Sequence, residues 1–362
     1  MFFYCTPLKL SVWLLLTLAY CTATAQTINT DAAMRYWQLT DALRQNQPLT
    51  DQAWDAFVNM PGNKTYIHNT FDAAGLRQYR QAIETVYTPA QDSLLQAKLQ
   101  AKAEPYVTVY DYKQREAEFK RYLREAVQQP HYLTRMYALA YAYLPPQAHT
   151  KVPLLQLYYT ALSDGATSQD EGIFFSLKAA VDNNQPKPGI LEAHEMHHQL
   201  LPTLPTMHFR AVAKQDQGLF WVLDVLRTEG VADLIDKTAQ LAAPTTPATL
   251  GAWLLDPAPR TIQRLDSTIA AAATAGASAS QPIRYYQQLI AGGGHQPGYY
   301  MARVIEQNGY IQPLIKELSN PIAFVLCYQK AARKDAHRPP TFSKASIQYL
   351  KKLNKKYSRA TT

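Results

Sequence analysis

Cysteine is scarce in this chain: three residues in 362, at Cys5, Cys21 and Cys327. Two of them fall within residues 1–25, which read as an export leader. The mature chain then keeps one thiol, and an internal disulfide is excluded. Its fold must hold by an apolar core alone, even in an oxidising compartment. Long hydrophobic runs are missing too. The one candidate, residues 10–19, follows Lys9 and precedes the small-residue site Ala23-Thr24-Ala25. That pattern predicts cleavage before Gln26 rather than a membrane anchor. Bulky Tyr20 stands where a lipoprotein signal wants a small side chain, so lipidation of Cys21 ranks below plain export to the periplasm or cell exterior. No repeat period indicates a solenoid.

A basic body is also lacking. From Ser343 onward there are six basic residues and no acidic one; without those and Lys9, the net charge of +8 falls to +1. A near-neutral body with no recognisable module excludes nucleic acid as a partner. The tail 343–362 carries an apolar stripe, Ile347, Leu350, Leu353 and Tyr357, which predicts a docked surface helix rather than stable membrane insertion. The sequence leaves the oligomeric state open.

What is present reads as mostly helix. Residues 26–150 form a helical region, with apolar residues at three- and four-residue spacing around Trp37, Leu76, Tyr79, Tyr122 and Met136. The pattern changes at 151–241. Residues 152–159 and 172–180 read as short strands, with Asp164-Gly165 as a turn between them. A loop then leads into a helix starting near Ile190, and a second long helix covers 217–237. Residues 242–282 form an Ala/Thr/Pro-biased connector with one helix around Ile262, Leu265 and Ile269. A helical region, 283–342, follows.

The chemistry concentrates in Leu191-Glu-Ala-His194-Glu195-Met-His197-His198, which contains H-E-x-x-H. Residues four apart lie one turn apart on one helix face, so the two imidazoles can bind one metal ion. The intervening Glu195 lies beside that face, where it can take a proton from a water activated by the metal. A catalytic zinc needs a third protein ligand and an open position. Glu229, in Thr228-Glu229-Gly-Val-Ala-Asp233, is the best candidate. Asp233, one turn on, is placed to accept a hydrogen bond from a liganding imidazole and fix its tautomer. His197 also shares a face with His194, but only His198 completes the motif. His208 is a weaker third ligand than Glu229. Asp236 and Lys237 are expected on the solvated face of this helix. A third segment, Gly292-Gly-Gly-His295-Gln-Pro-Gly-Tyr299-Tyr300-Met301, makes a glycine turn before a helix. Either His295 or a hydroxyl of Tyr299 or Tyr300 could donate to an oxyanion there; the alternative is a plain turn with core tyrosines.

H-E-x-x-H followed by a helix carrying E-x-x-x-D resembles the gluzincins, the thermolysin-like metallopeptidases. The phrases GILEAHEMHHQ, TEGVADLID, GGGHQPGYYMA and NMPGNKTYIHN are similar to an uncharacterised family of exported bacterial proteins labelled zinc-dependent peptidases. The resemblance implies Zn2+ held by His194, His198 and Glu229, with Glu195 as general base acting on a peptide or protein substrate. It also implies an α+β, mainly helical fold: a zincin-like core with a short antiparallel sheet packed near the H-E-x-x-H helix. Strand 172–180 would edge the cleft. The chain departs from thermolysin-like enzymes in one respect, since thirty residues separate His198 from Glu229. The alternative reading is a non-catalytic exported binding protein on the same scaffold.

Overall fold

Apolar spacing and local caps decide where the helices run. In Ala73–Tyr87 the buried residues Tyr79, Ala82, Ile83 and Val86 repeat at three and four, and the Asp72 carboxylate caps the first turn through the Gly75 N–H at 2.7 Å. These regularities recur through a computed structural model that describes residues 26–169, 172–204, 212–244, 248–291 and 293–357. The leader with Cys21, as well as His208, Gly292 and the last five residues, lies outside the described residues. No helix among the described residues is long and apolar enough to cross a membrane.

The chain divides into two compact units. The first comprises residues up to Gln128 together with Lys151–Ala179. Its helices include α1 (Asp31–Arg44), α2 (Pro61–Thr70), α3 (Ala73–Tyr87) and α4 (Tyr106–Gln114). Its sheet holds β1 (Thr27–Asn29), β2 (Gln156–Thr160), β3 (Ala166–Gln169) and β4 (Gly172–Ser176), in the order β1-β2-β4-β3. The expected antiparallel sheet is therefore corrected to a mixed one. β2 runs parallel to both β1 and β4, and only β3 and β4 pair antiparallel. Two strands escape the sequence reading: β1 has three residues, too few to show alternation, and a partner more than a hundred residues away, while β3 is the polar run Ala166–Gln169. Every residue of β4 is buried, as expected for a strand covered on both faces. The strand expected over 172–180 ends early because Ser176 Oγ accepts the Ala179 N–H at 2.9 Å, capping a helix, Leu177–Asn183.

The segment NMPGNKTYIHN lies in this unit, mostly in α2. Asn63 joins the Phe57 carbonyl to the Thr160 hydroxyl, and Tyr66 is buried, so the phrase ties α2 to the sheet.

The second unit comprises Gln129–Thr150 and everything from Ala180 onward. It contains α5 (Tyr132–Tyr141), α6 (Ile190–Leu200), α7 (Lys214–Ala242), α8 (Ala258–Ala275), α9 (His295–Gln307), α10 (Pro321–Ala332) and α11 (Lys344–Tyr357). The central helix is α7. It packs against α6, α9 and α10, and its middle, Gly230–Asp236, is buried on all sides. Ile262, Leu265 and Ile269 are buried along α8, and the tail stripe turns Leu350, Leu353 and Tyr357 inward along α11.

Candidate metal centre

The first turn of α6 is organised by Asn184. Its Oδ1 accepts the N–H groups of Gly189 at 3.1 Å and Leu191 at 3.0 Å, while its amide donates to Glu192 at 2.7 Å. Gly189 itself lies at φ 91°, a conformation that favours glycine. This fixes the start and the rotational phase of α6. His194 and His198 then share a face, with Nε2 atoms 3.0 Å apart.

The third donor arrives on α7. Glu229 Oε2 stands 3.4 Å from His198 Nε2 and 3.8 Å from His194 Nε2. A tetrahedral zinc with bonds of about 2.1 Å places its ligand atoms roughly 3.4 Å apart. The three observed separations, 3.0, 3.4 and 3.8 Å, bracket that edge, so the donor set fits zinc in both chemistry and spacing. Burial alone would raise the Glu229 carboxyl. The imidazoles of His194 and His198 and the charge of His295 instead hold it far below the usual carboxylate range. Glu195 lies half-buried one position after His194.

A second group borders the first. His295 starts α9, and its Nδ1 lies 3.0 and 3.1 Å from the two oxygens of Asp233 and 3.5 Å from Glu229. Burial opposes a charge on His295, but Asp233 and Glu229 outweigh it and raise its pKa. His194, Asp233 and His295 form a second cluster able to hold a metal, sharing His194 with the first.

What brings α9 so close is a pair of glycines. A Cβ on Gly298 would sit 2.6 Å from the Leu226 carbonyl oxygen, and one on Gly230 would run into the Gly298 backbone. Two helices can cross at backbone contact only where both lack side chains. Gly230 follows Glu229, and Gly298 lies one turn after His295, so the crossing sets Glu229 and His295 side by side.

Several expectations change. Asp233 lies 3.6 Å from His194 Nδ1 and bonds to His295 instead. The closer carboxylate on His194 Nδ1 is Asp236, at 3.2 Å. Asp236 is fully buried rather than solvated, and Lys237 Nζ pairs with it at 2.7 Å. The signal for Asp236 was present in the sequence: Glu229, Asp233 and Asp236 fall at i, i+4 and i+7, one continuous helix face. Tyr299 shares the His295 face, but its hydroxyl meets Thr238 at 3.3 Å. Tyr300, a further 100° round, sits beside Asp335 and Arg303. His197 is buried, its Nε2 3.4 Å from the Tyr143 carbonyl, and burial lowers its pKa well below the ordinary value.

Comparison with known proteins agrees with this donor chemistry. No curated protein and no solved structure matches the chain. One family model, described as "Putative zinc dependent peptidase (DUF5700)", matches residues 54–337. That span covers most of the sequence, including both helices that carry the donor atoms and the helix that begins at His295, and the chain belongs to this zinc-peptidase family.

Proposed function

We propose that the protein is an exported zinc peptidase that hydrolyses peptide bonds, with His194, His198 and Glu229 as metal ligands and Glu195 as general base. The observation that carries this reading is the convergence of three donor atoms at 3.0–3.8 Å from two different helices. When bound, zinc supplies a Lewis acid that polarises a carbonyl and makes water more acidic. The Glu195 carboxylate takes the proton of the attacking water and later passes it to the departing amine nitrogen. His295, its Nδ1–H held by Asp233, keeps Nε2–H for the oxygen that gains charge as the carbonyl becomes tetrahedral. The raised pKa of His295 favours the doubly protonated ring that this donation needs. This reading gives the oxyanion to His295 and assigns no step to Tyr299, whose hydroxyl meets Thr238, or to Tyr300.

Glu195→Gln keeps the shape of the side chain and removes the base. Peptide hydrolysis should fall by about 10²–10⁴-fold, while zinc content by metal analysis stays at one ion per chain. Full activity in this variant ends the mechanism. A purified wild-type chain that holds zinc but cleaves no member of a broad peptide library points instead to a binding protein on the same scaffold.

A further inference from the structure

The reaction above does not use Asp236 or Lys237, yet Asp236 is buried and Lys237 half-buried beside it. Asp236 is fully buried at the centre of α7. Its two oxygens have different partners: Oδ1 meets His194 Nδ1 at 3.2 Å, and Oδ2 accepts from Lys237 Nζ at 2.7 Å. His194 turns its other nitrogen, Nε2, towards His198 and Glu229. The chain therefore builds a line Lys237–Asp236–His194 that ends at the atom where the metal would bind.

We propose that Asp236, held by Lys237, is the positioning residue that sets the ring of His194 for metal binding, and that Asp233 serves His295 instead. The inference rests on the reading of His194 as a ligand. An imidazole that donates Nδ1–H to a carboxylate has its Nε2 lone pair free for the metal, and the carboxylate makes that nitrogen a better donor. A carboxylate with one free oxygen could swing to another partner. Asp236 cannot, because the ammonium of Lys237 occupies Oδ2. Lys237 also solves an electrostatic problem, since Asp233 and Asp236 are two buried acids one turn apart on the same face. The Lys237 ammonium, 2.7 Å from Oδ2, faces Asp236 with a compensating charge. Division of labour follows from geometry: Asp233 is within hydrogen-bond reach of His295 but 3.6 Å from His194.

The test is zinc affinity of the full chain, measured by competition with a chromogenic chelator, for wild type, Asp236→Asn, Asp233→Asn and Lys237→Met. Asp236→Asn should weaken zinc binding by about 10–100-fold. Lys237→Met should weaken it less, in the same direction, and it gives a second readout should Asp236→Asn fail to fold. Asp233→Asn should cost less affinity than Asp236→Asn. Cobalt substituted for zinc should show a shifted visible spectrum in Asp236→Asn and Lys237→Met, a change that loss of stability alone does not produce. Wild-type affinity and an unaltered cobalt spectrum in both variants overturn the inference while leaving the ligand set intact. A larger loss in Asp233→Asn than in Asp236→Asn overturns it as well. A wild-type chain that binds no zinc, or a His198→Ala chain that binds it normally, overturns the metal centre and this inference together.

Discussion

In the first unit the buried polar groups are neutral, with phenols prominent among them; in the second the candidate metal cluster is built of carboxylates, imidazoles and an ammonium. Tyr36, Tyr79 and Tyr112 are fully buried, and burial pushes their pKa values well above the ordinary phenol, so they stay neutral. The Tyr36 hydroxyl meets that of Tyr87, while the hydroxyls of Tyr79 and Tyr112 settle the backbone after β2 and β4. Tyr112 Oη donates to the Ser163 carbonyl at 3.0 Å and accepts the Lys178 N–H at 3.2 Å, while Tyr79 Oη accepts the Ser163 N–H at 2.9 Å. Neutral hydroxyls satisfy buried backbone at little electrostatic cost. The second unit instead buries Asp233, Asp236 and much of Glu229, each facing a histidine or lysine. Buried charge is costly unless paired, and it concentrates where chemistry is done. The contrast is between a unit that buries neutral hydroxyls and one that buries paired charges, the arrangement the proposed metal centre needs.

Three substitutions can break this contrast or sharpen it. The largest effect is expected at the helix crossing. Gly230→Ala drives a methyl into the Gly298 backbone, where no flexible side chain can yield. It should destabilise the second unit by about 3 kcal/mol or more and, by parting Glu229 from its imidazoles, lower zinc affinity. Urea melts and chelator competition would check both. Normal zinc binding in a stable Gly230→Ala chain would separate the crossing from the site.

A smaller effect is expected at Asp216, where charge serves structure alone. This buried carboxylate accepts from the Tyr357 hydroxyl at 2.5 Å and from Lys356 at 3.0 Å, pinning α11 to the start of α7. Asp216→Ala should cost about 2 kcal/mol, since half-exposed Lys356 can rehydrate, and it should quicken hydrogen exchange along α11 without changing zinc affinity. Weakened zinc binding would mean that the tail supports the site.

The smallest effect is expected in the first unit. Tyr112→Phe removes the hydroxyl bonded to the Ser163 carbonyl and the Lys178 N–H and should cost about 1–2 kcal/mol, read from urea melts, with zinc content unchanged. A zinc affinity lowered as much as by Gly230→Ala would abolish the distinction between the units.

Much of the site is legible in the residues themselves, and the limits are physical. A four-residue spacing has a fixed meaning on a helix, so His194 and His198 pair on spacing alone. The α7 face is legible by the same rule through Glu229, Asp233 and Asp236. Which acid meets which imidazole is not, because that depends on where α6 and α9 cross α7. Asp236 and Lys237 look like surface residues from their polarity alone; only a helix surrounded on every side reveals Asp236 as buried and Lys237 as turned towards it. Tyr299 and Tyr300 look equivalent beside His295, yet one helical step of 100° sends them to Thr238 and to Asp335. The sheet has the same limit. β4 shows in its apolar run, while β1 and the parallel pairing depend on partners distant in the chain.

The sequence by itself determined the helical character, the paired imidazoles, the acidic face of the long helix and the chemical type of the cation they suit, because each rests on local periodicity and side-chain chemistry. The tertiary structure alone decided that Glu229 meets those imidazoles, that Asp233 goes to His295 and Asp236 to His194, and that two glycines bring the helices together. Those outcomes depend on distances between elements far apart in the chain, which no local pattern encodes.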